Sequence, residues 1–294
     1  MTSAMSSSAS AVTGPSVANP LGVHLVVGGF PRGASAGHDM DSVRLRILEL
    51  LQESGKAKVS VACDFSDIER WLAISDFLVT YVAGPFLDDE QARQVDAWLE
   101  GGGRWLALHG SSGGRAVPNP DGSPGRMMSR GLHHEVLGAA FLNHPPIRKF
   151  SVDVREADHP LTHGLPTSFD VMDELYLIEM TAPDESRVLL TTSDLEKKDP
   201  APRKFGFTYG EDTSVGADGR TRVLGYVRER KAGAVAYFAL GHCHTPSTNI
   251  QPFVDVSVDE QGKTPLQFRG PWETKAFGRL LLNAIDWGLG GRST

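Results

Sequence analysis

The sequence predicts an α/β protein with a doubly wound, mostly parallel sheet and helices on both faces. Apolar runs typical of buried strands alternate with amphipathic stretches of helical period, in the order β-α-β, β-α-β. The connections between them are short and contain glycine, which is typical of parallel strands joined by crossover helices. The chain has 294 residues, of which 40% are hydrophobic, and is therefore long enough to bury a sizeable core.

The first half of the chain carries the clearest elements. Apolar or alternating runs predict four strands, at residues 21–30, 58–63, 76–82 and 104–108. Between the first two strands, apolar residues recur at helical spacing from Val43, and Gly55 ends this helix. A second helix is predicted in LDDEQARQVDAWLEGGG, because Asp88 can cap its first turn and Gly101 ends it.

The second half is less regular but also contains strands. They are predicted at residues 150–154, 187–191, 222–228 and 234–240, and a closing helix is predicted over Trp272–Leu289. Residues 111–132 show no periodic pattern and predict a long loop, a feature that is commonly functional. No linker separates the halves, so residues 21–290 are predicted to form one domain after a disordered N-terminal tail at residues 1–20.

Composition excludes several classes of function. The chain carries 29 Lys and Arg against 36 Asp and Glu and has no basic stretch, so no nucleic-acid partner is expected. No apolar run approaches the roughly 18 residues of a membrane span, and the start lacks the features of a secretory signal. The two cysteines, Cys63 and Cys243, do not build a disulfide framework. A cytoplasmic protein with no membrane partner is therefore expected.

Histidines are the first candidate functional residues. Five of the ten follow predicted strands or short apolar stretches: His38, His109, His144, His242 and His244. Because the carboxyl ends of parallel strands meet at one edge of a sheet, these histidines are predicted to become neighbours. The adjacent pair His133 and His134 is expected to point in two directions, so that at most one of them serves a site.

Two carboxylates stand in the otherwise apolar stretch DVMDELYLIEM. Asp173 and Glu174 each cost free energy there unless they are paired or bound to a metal. Histidine and carboxylate together can hold a divalent metal ion, or can act as general base and acid. Tyr176 adds a hydroxyl that can bind a sugar or donate a proton.

Each candidate also has a simpler explanation. No spacing matches the H-E-x-x-H zinc motif, so a metal site depends on convergence in space alone. Asp173 and Glu174 can instead form a buried salt bridge or a helix cap. Cys243, between two histidines, is either a thiol with a lowered pKa or an unreactive one. Ser111 and Ser112 lie near His109 in the sequence, but adjacency in sequence does not make a catalytic triad, so nucleophilic catalysis by serine has little support.

Several stretches together resemble the trehalose-utilisation (ThuA-like) family, from about residue 22 to residue 289. They are WLEGGGRWLALHGSSGG, LGAAFLNHPPIRKFSV, ADHPLTHGLPTSFDVMDELY, AGAVAYFALGHCHTP and FGRLLLNAIDWGL. The resemblance implies a flavodoxin-like fold of the class I glutamine amidotransferase type. Those enzymes carry a catalytic cysteine at a strand-to-loop elbow, where this chain has His109. Glutamine amidotransferase activity is therefore not expected.

The resemblance also implies a role in carbohydrate metabolism, beside sugar-oxidising dehydrogenases. The leading hypothesis is an enzyme, a hydrolase or lyase, that acts on a sugar or 3-keto-glycoside by acid/base chemistry assisted by a metal. One divalent ion, Zn or Mn, is the expected cofactor, and no organic cofactor is expected. The expected catalytic residues are His109, Asp173, Glu174, Tyr176 and His242. The expected metal ligands are His38, His109, His144, His242 and His244.

Two other hypotheses stay open at this stage. One is a non-catalytic sugar-binding or accessory subunit that works with a sugar dehydrogenase. The other is a hydrolase that uses the thiol of Cys243. In each case the expected partner is a small-molecule carbohydrate, and an apolar surface around the second half of the chain is compatible with a homodimer.

Overall fold

The computed structural model describes residues 19–195, 207–248 and 265–290; of the predicted tail, residues 1–18 lie outside this part. The strands, in chain order, are β1 (Leu21–Gly29), β2 (Ala57–Ala62), β3 (Phe77–Ala83), β4 (Arg104–Leu108), β5 (Ala116–Pro118), β6 (Arg126–Met128), β7 (Ala139–Asn143), β8 (Arg148–Val154), β9 (Ser168–Asp173), β10 (Leu177–Met180), β11 (Ser186–Thr192), β12 (Arg222–Arg230) and β13 (Gly233–Phe238). The α-helices are α1 (Met40–Glu53), α2 (Ile68–Leu72), α3 (Asp89–Glu100), α4 (Leu132–Leu137) and α5 (Lys275–Leu289).

Nine of the strands form one mixed sheet, in the order β2-β1-β3-β4-β13-β12-β11-β8-β9. The five strands from β2 to β13 are parallel. Each of the remaining four is antiparallel to its neighbour. The α/β class is thus confirmed, whereas the mostly parallel character holds only from β2 to β13. The placement of helices on both faces stays a prediction.

The connections explain why the second half departs from the predicted pattern. Two residues, Lys231 and Ala232, join β12 to β13. A parallel pair needs a crossover of about a dozen residues, so such a short connection produces an antiparallel hairpin. Lys231 has a φ of +52°, in the left-handed region that two-residue hairpin turns use. The sequence lacks the Asn-Gly or Asp-Gly signal that usually marks such a turn.

The first half forms as the sequence predicts. Asp88 accepts a hydrogen bond from the backbone N–H of Gln91 (2.9 Å), and the Gln91 side chain accepts one from the N–H of Asp88 (3.0 Å). This reciprocal capping box starts α3, whose apolar face buries Val95 and Leu99. At the other end of the chain, α5 passes close to β3, because a Cβ on Gly288 would lie 2.2 Å from the Phe77 ring.

The predicted long loop contains regular structure that is too short to produce a periodic pattern. A 3₁₀ helix, His109–Ser112, follows β4 directly, and β5 and β6 form a small antiparallel hairpin. α4 then begins at Leu132. None of the helices in the described part of the chain combines the length and the apolar character of a membrane span.

The carboxyl ends of seven strands lie on one edge of the sheet. β1, β3, β4 and β13 share one direction because they are parallel. Four antiparallel pairings separate β13 from β9, and an even number of reversals returns β9 to that direction. The residues that follow β1, β4, β9 and β13 therefore reach the same rim, which is where the candidate residues stand.

His24, in β1, packs in the interior rather than in a site. Its ring stacks on Trp71 with 5.4 Å between centroids, and its Nδ1 lies 2.8 Å from the Ser60 hydroxyl. Only 1% of the residue is exposed. Burial lowers the pKa of His24 from 6.5 to about 4.

His24 is expected to make the protein less stable in mild acid. Between about pH 6.5 and pH 4 the unfolded chain binds a proton at this imidazole and the folded chain does not, so stability falls as the pH falls. The loss is at most about 3 kcal/mol. Denaturant unfolding at pH 7 and pH 4.5 measures it, with His24→Phe as the ring-preserving control. Equal pH dependence in both proteins would contradict this assignment.

Candidate functional site

Four residues from distant parts of the chain form a buried cluster at this rim. His38 lies between β1 and α1, His109 follows β4, Glu174 follows β9, and His242 follows β13. Each offers one ligand atom, and these four atoms lie within 4.8 Å of one another. The most exposed of the four, His38, has 8% of its surface accessible.

The backbone at His109 turns sharply, which aims its side chain along the rim. His109 has a φ of +43°, a left-handed conformation that costs a non-glycine residue about 1 kcal/mol or more. The next residue must be small, because a Cβ on Gly110 would lie 2.6 Å from the carbonyl oxygen of Val82. The glycine-serine run after the strand is therefore a tight elbow with a strained histidine at its apex.

Asp173 holds the neighbouring turn and does not belong to the cluster. Its carboxylate accepts hydrogen bonds from the N–H groups of Gly241 (2.8 Å), His242 (3.0 Å) and Glu174 (2.9 Å). Burial raises the pKa of Asp173 well above its ordinary value, although these donors act in the opposite direction. These bonds tie Asp173 to the backbone on either side of the rim, next to His242 and Glu174, and a catalytic role for it stays a prediction.

Hydrogen bonds to backbone carbonyls fix the protons of two cluster histidines. The Nδ1–H of His38 donates to the carbonyl of Ala36 (2.8 Å), and that of His109 donates to the carbonyl of Ala239 (2.8 Å). A carbonyl oxygen only accepts, so the proton of each neutral ring is on Nδ1. The lone pair of each ring is therefore on Nε2, which faces the cluster.

His242 carries its ring proton on Nε2, whereas His38 and His109 carry theirs on Nδ1. Its Nε2 lies 2.8 Å from Nδ1 of His244, whose own Nε2–H donates to the carbonyl of Pro265 (2.9 Å). His244 must then accept at Nδ1, so His242 donates from Nε2 and has its lone pair on Nδ1. Three buried nitrogens, Nε2 of His38, Nε2 of His109 and Nδ1 of His242, have no hydrogen-bond partner among the described residues.

The carboxylate of Glu174 faces these lone pairs. Its Oε2 lies 3.2 Å from Nδ1 of His242 and 3.5 Å from Nε2 of His109. Burial raises the pKa of Glu174, but the surrounding imidazoles of His144, His242 and His109 outweigh it and hold that pKa well below its ordinary value. Burial also lowers the pKa of His38 to about 4 and that of His242 well below its usual range. Neutral imidazoles at His38 and His242 and an ionised carboxylate at Glu174 are the protonation states that metal ligands need.

The other predicted site residues surround this cluster. The Tyr176 ring stacks on His109 with 4.0 Å between centroids, and burial raises its pKa so that it stays protonated. Nε2 of His144 lies 3.8 Å from Oε1 of Glu174, outside the four-ligand group, and its side chain is 14% exposed. Both ring nitrogens of His244 are engaged, Nδ1 by His242 and Nε2 by the Pro265 carbonyl, so His244 offers no free lone pair to the cluster.

Burial raises the pKa of Cys243 to about 12, which favours the unreactive thiol of the two alternatives. The geometry corrects one sequence interpretation. His133 and His134 do not point apart. Their ring centroids are 3.7 Å apart, and both Nε2 atoms lie within 3.0 Å of the Gly113 carbonyl oxygen, which anchors the segment after the elbow.

Two aromatic residues that the sequence analysis did not select help to build the site. The Tyr81 hydroxyl and the Trp272 indole N–H both donate to the carbonyl oxygen of Gly241, at 2.9 and 2.7 Å. Gly241 has a φ of +130°, so these bonds fix an unusual backbone conformation directly before His242. The one available signal was the position of Tyr81 near the carboxyl end of a predicted strand.

The fold and the rim cluster define a mixed α/β protein with a histidine at the strand-to-loop elbow. Residues 31–256 match the family model described as ThuA, trehalose utilisation. The match covers most of the chain, and the protein belongs to this family. The glutamine amidotransferase-like fold implied by the resemblance is consistent with it. No curated protein matches the sequence significantly.

Two solved structures show the same fold. A ThuA-like protein from Bacteroides uniformis ATCC 8492 has a TM-score of 0.60 and 16% sequence identity, with 96% of each chain covered. A ThuA-like protein from Parabacteroides merdae ATCC 43184 has a TM-score of 0.54 and 17% identity, with 94% of this chain and 92% of that one covered. At these identities the likeness is evidence of the fold alone. The family itself is linked to carbohydrate metabolism through trehalose utilisation.

Replacing Asp173 by Asn is expected to destabilise the protein by about 3 kcal/mol, because an amide NH₂ would face backbone N–H donors in a buried site. Urea unfolding measures this change. Asp170→Asn, on the same strand, is the control: that side chain is 53% exposed and pairs with Lys149. Its loss should cost less than about 1 kcal/mol. Equal losses in the two variants would show that the three N–H bonds do not stabilise the rim.

Proposed function

We propose that this protein is an enzyme of carbohydrate metabolism that acts on a sugar or 3-keto-glycoside with the help of one divalent metal ion. The observation that carries the proposal is the set of three buried imidazole lone pairs that face one carboxylate and have no hydrogen-bond partner in the described part of the chain. Buried polar atoms are normally paired, so such a set is best explained by a bound cation. The family's link to trehalose utilisation supports the carbohydrate substrate.

The donor set fits a divalent ion. The ligands would be Nε2 of His38, Nε2 of His109, Nδ1 of His242 and a carboxylate oxygen of Glu174. Nitrogen and oxygen donors of this kind suit Zn and Mn. Each imidazole also donates its other N–H to a partner, which is the usual arrangement around metal-binding histidines. Such an ion would act as a Lewis acid on an oxygen of the substrate.

The residues beside the cluster supply the acid/base chemistry in this proposal. Nδ1–H of His144 donates to the Pro145 carbonyl (2.8 Å), so its Nε2 carries a lone pair that can accept a proton. A 3-keto group acidifies the neighbouring C2–H of a glycoside, and removal of that proton allows the group at C1 to leave. His144 would hold this proton, and the Tyr176 hydroxyl would bind or protonate a sugar oxygen. Each such transfer contributes about 10²–10⁴-fold.

One observation favours a second candidate function. All four cluster residues are buried, and a closed set of four ligands is typical of structural metal sites. In that case the ion would stabilise a non-catalytic sugar-binding or accessory subunit of a sugar dehydrogenase. Both candidate functions include the bound metal ion, but only the enzyme converts a substrate.

Metal binding is the first test. We expect the chelator-treated protein to bind one Zn or Mn ion per chain by calorimetry, with a raised melting temperature. Glu174→Gln and His109→Ala should weaken binding by more than about 100-fold, since each removes a ligand. His163→Ala, which removes an exposed histidine outside the cluster, is the control. Unchanged affinity in the first two variants would exclude this site.

Turnover is the second test. We expect 3-keto-glycosides to be consumed by the metal-loaded protein, with activity lost to a chelator and unaffected by thiol alkylation. His144→Gln should lower kcat by about 10²–10⁴-fold while the bound metal is retained. Sugar binding without any turnover would decide for the accessory subunit instead.

A further inference from the structure

We propose that His244 is a positioning residue that keeps the proton of His242 on Nε2 and so leaves Nδ1 free for the metal. This inference rests on the proposed metal site. His244 is fully buried and is held on three sides. Its Nε2–H donates to Pro265, its backbone exchanges two hydrogen bonds with Phe268 (2.8 and 2.9 Å), and the Phe268 ring lies 5.7 Å from its own.

His242 has one proton and two acceptors that compete for it. Oε2 of Glu174 lies 3.2 Å from Nδ1, and Nδ1 of His244 lies 2.8 Å from Nε2. A proton on Nδ1 would bond to the carboxylate, which removes one ligand nitrogen and masks one ligand oxygen. A proton on Nε2 leaves Nδ1 of His242 and Oε2 of Glu174 available as ligands. The acceptor on His244 therefore decides between a closed cluster and one ready for a cation.

His242 is the cluster histidine whose ring proton is positioned by a side chain rather than by a backbone carbonyl. His38 and His109 bond to the backbone carbonyls of Ala36 and Ala239, which no substitution at those two positions removes. The corresponding acceptor for His242 is an imidazole, and it accepts only because the carbonyl of Pro265 takes the other proton of that ring. His242, His244 and Pro265 thus form a hydrogen-bond chain in which each N–H donates away from the proposed metal site, and the chain ends at the Pro265 carbonyl.

The same hydrogen-bond chain argues that His244 is a positioning residue and not a metal ligand. A directly bound His244 would have to break its contact with either His242 or Pro265, and both contacts are of normal hydrogen-bond length. The structure therefore assigns the metal to Nδ1 of His242, while the two other histidines bind through Nε2. This mixture of ring nitrogens is the feature that an experiment can detect.

The test compares two substitutions. His244→Asn keeps an acceptor, because the amide oxygen stands close to the position of Nδ1; His244→Leu keeps the volume and removes the acceptor. We expect Zn to bind about 10–100-fold more weakly to the leucine variant, and the asparagine variant to recover most of that loss. Competition with a chromophoric chelator measures both, and His163→Leu is the matched control. Wild-type affinity in the leucine variant would overturn the inference.

A second measurement needs neither metal nor activity. Long-range proton–nitrogen NMR of the histidine-labelled, metal-free protein reports which ring nitrogen of His242 is protonated, with the signal assigned by its loss in His242→Gln. We expect the proton on Nε2 in the wild type and on Nδ1 in the leucine variant. A proton on Nδ1 in the wild type overturns the inference even if the variants do not fold. Failure of the wild type to bind any divalent ion would instead overturn the proposed function.

Discussion

The carboxylate of Asp173 is the contact on which the site depends. It ends β9, at the outer edge of the antiparallel half of the sheet, yet it accepts the backbone N–H groups of Gly241 and His242 that follow the central strand β13. The antiparallel half must therefore curve back over the rim of the parallel half. These hydrogen bonds hold Glu174 opposite the histidines, and hydrogen bonds in a buried setting are strong.

The cluster itself combines features that would oppose one another in a protein without a ligand. Neutral imidazoles present their lone pairs to an ionised carboxylate, and nothing in the described residues donates a proton between them. Burial lowers the pKa values of His38 and His242 and so favours their neutral forms. The strained backbone of His109 adds a further cost. Costs of this kind persist where a function requires them, which is why we interpret the cluster as a cation site.

Much of the rim could be predicted from the sequence, for one physical reason. Parallel strands deliver their carboxyl ends to one edge, so the residues after a run such as RWLAL or AVAYFAL can be placed without knowing the packing. His38, His109 and His242 were identified in this way. Glu174 was identified because a carboxylate in an apolar stretch requires a partner. The same reasoning could not separate Asp173 from Glu174, since two adjacent residues differ only in the direction of their side chains.

The remaining differences come from contacts that have no local sequence signal. The antiparallel half depends on a two-residue hairpin whose residues are atypical for such turns, so the pattern of apolar runs alone favoured parallel strands. His244 looks like His242 in sequence, and its different role follows from a carbonyl at Pro265, far along the chain. His133 and His134 converge because both bond to the oxygen of Gly113. Hydrogen bonds between residues about 20 positions apart therefore decided the two histidine cases.

The wide spacing of the four ligands has a consequence during biosynthesis. They are distributed from residue 38 to residue 242, and no shorter stretch of the chain contains all of them. A nascent polypeptide emerging from the ribosome therefore has no preformed cation trap until nearly all of it has been translated. If the cluster binds a cation as proposed, the folded structure would therefore select the ion, because the unfolded chain has no local group of these four residues.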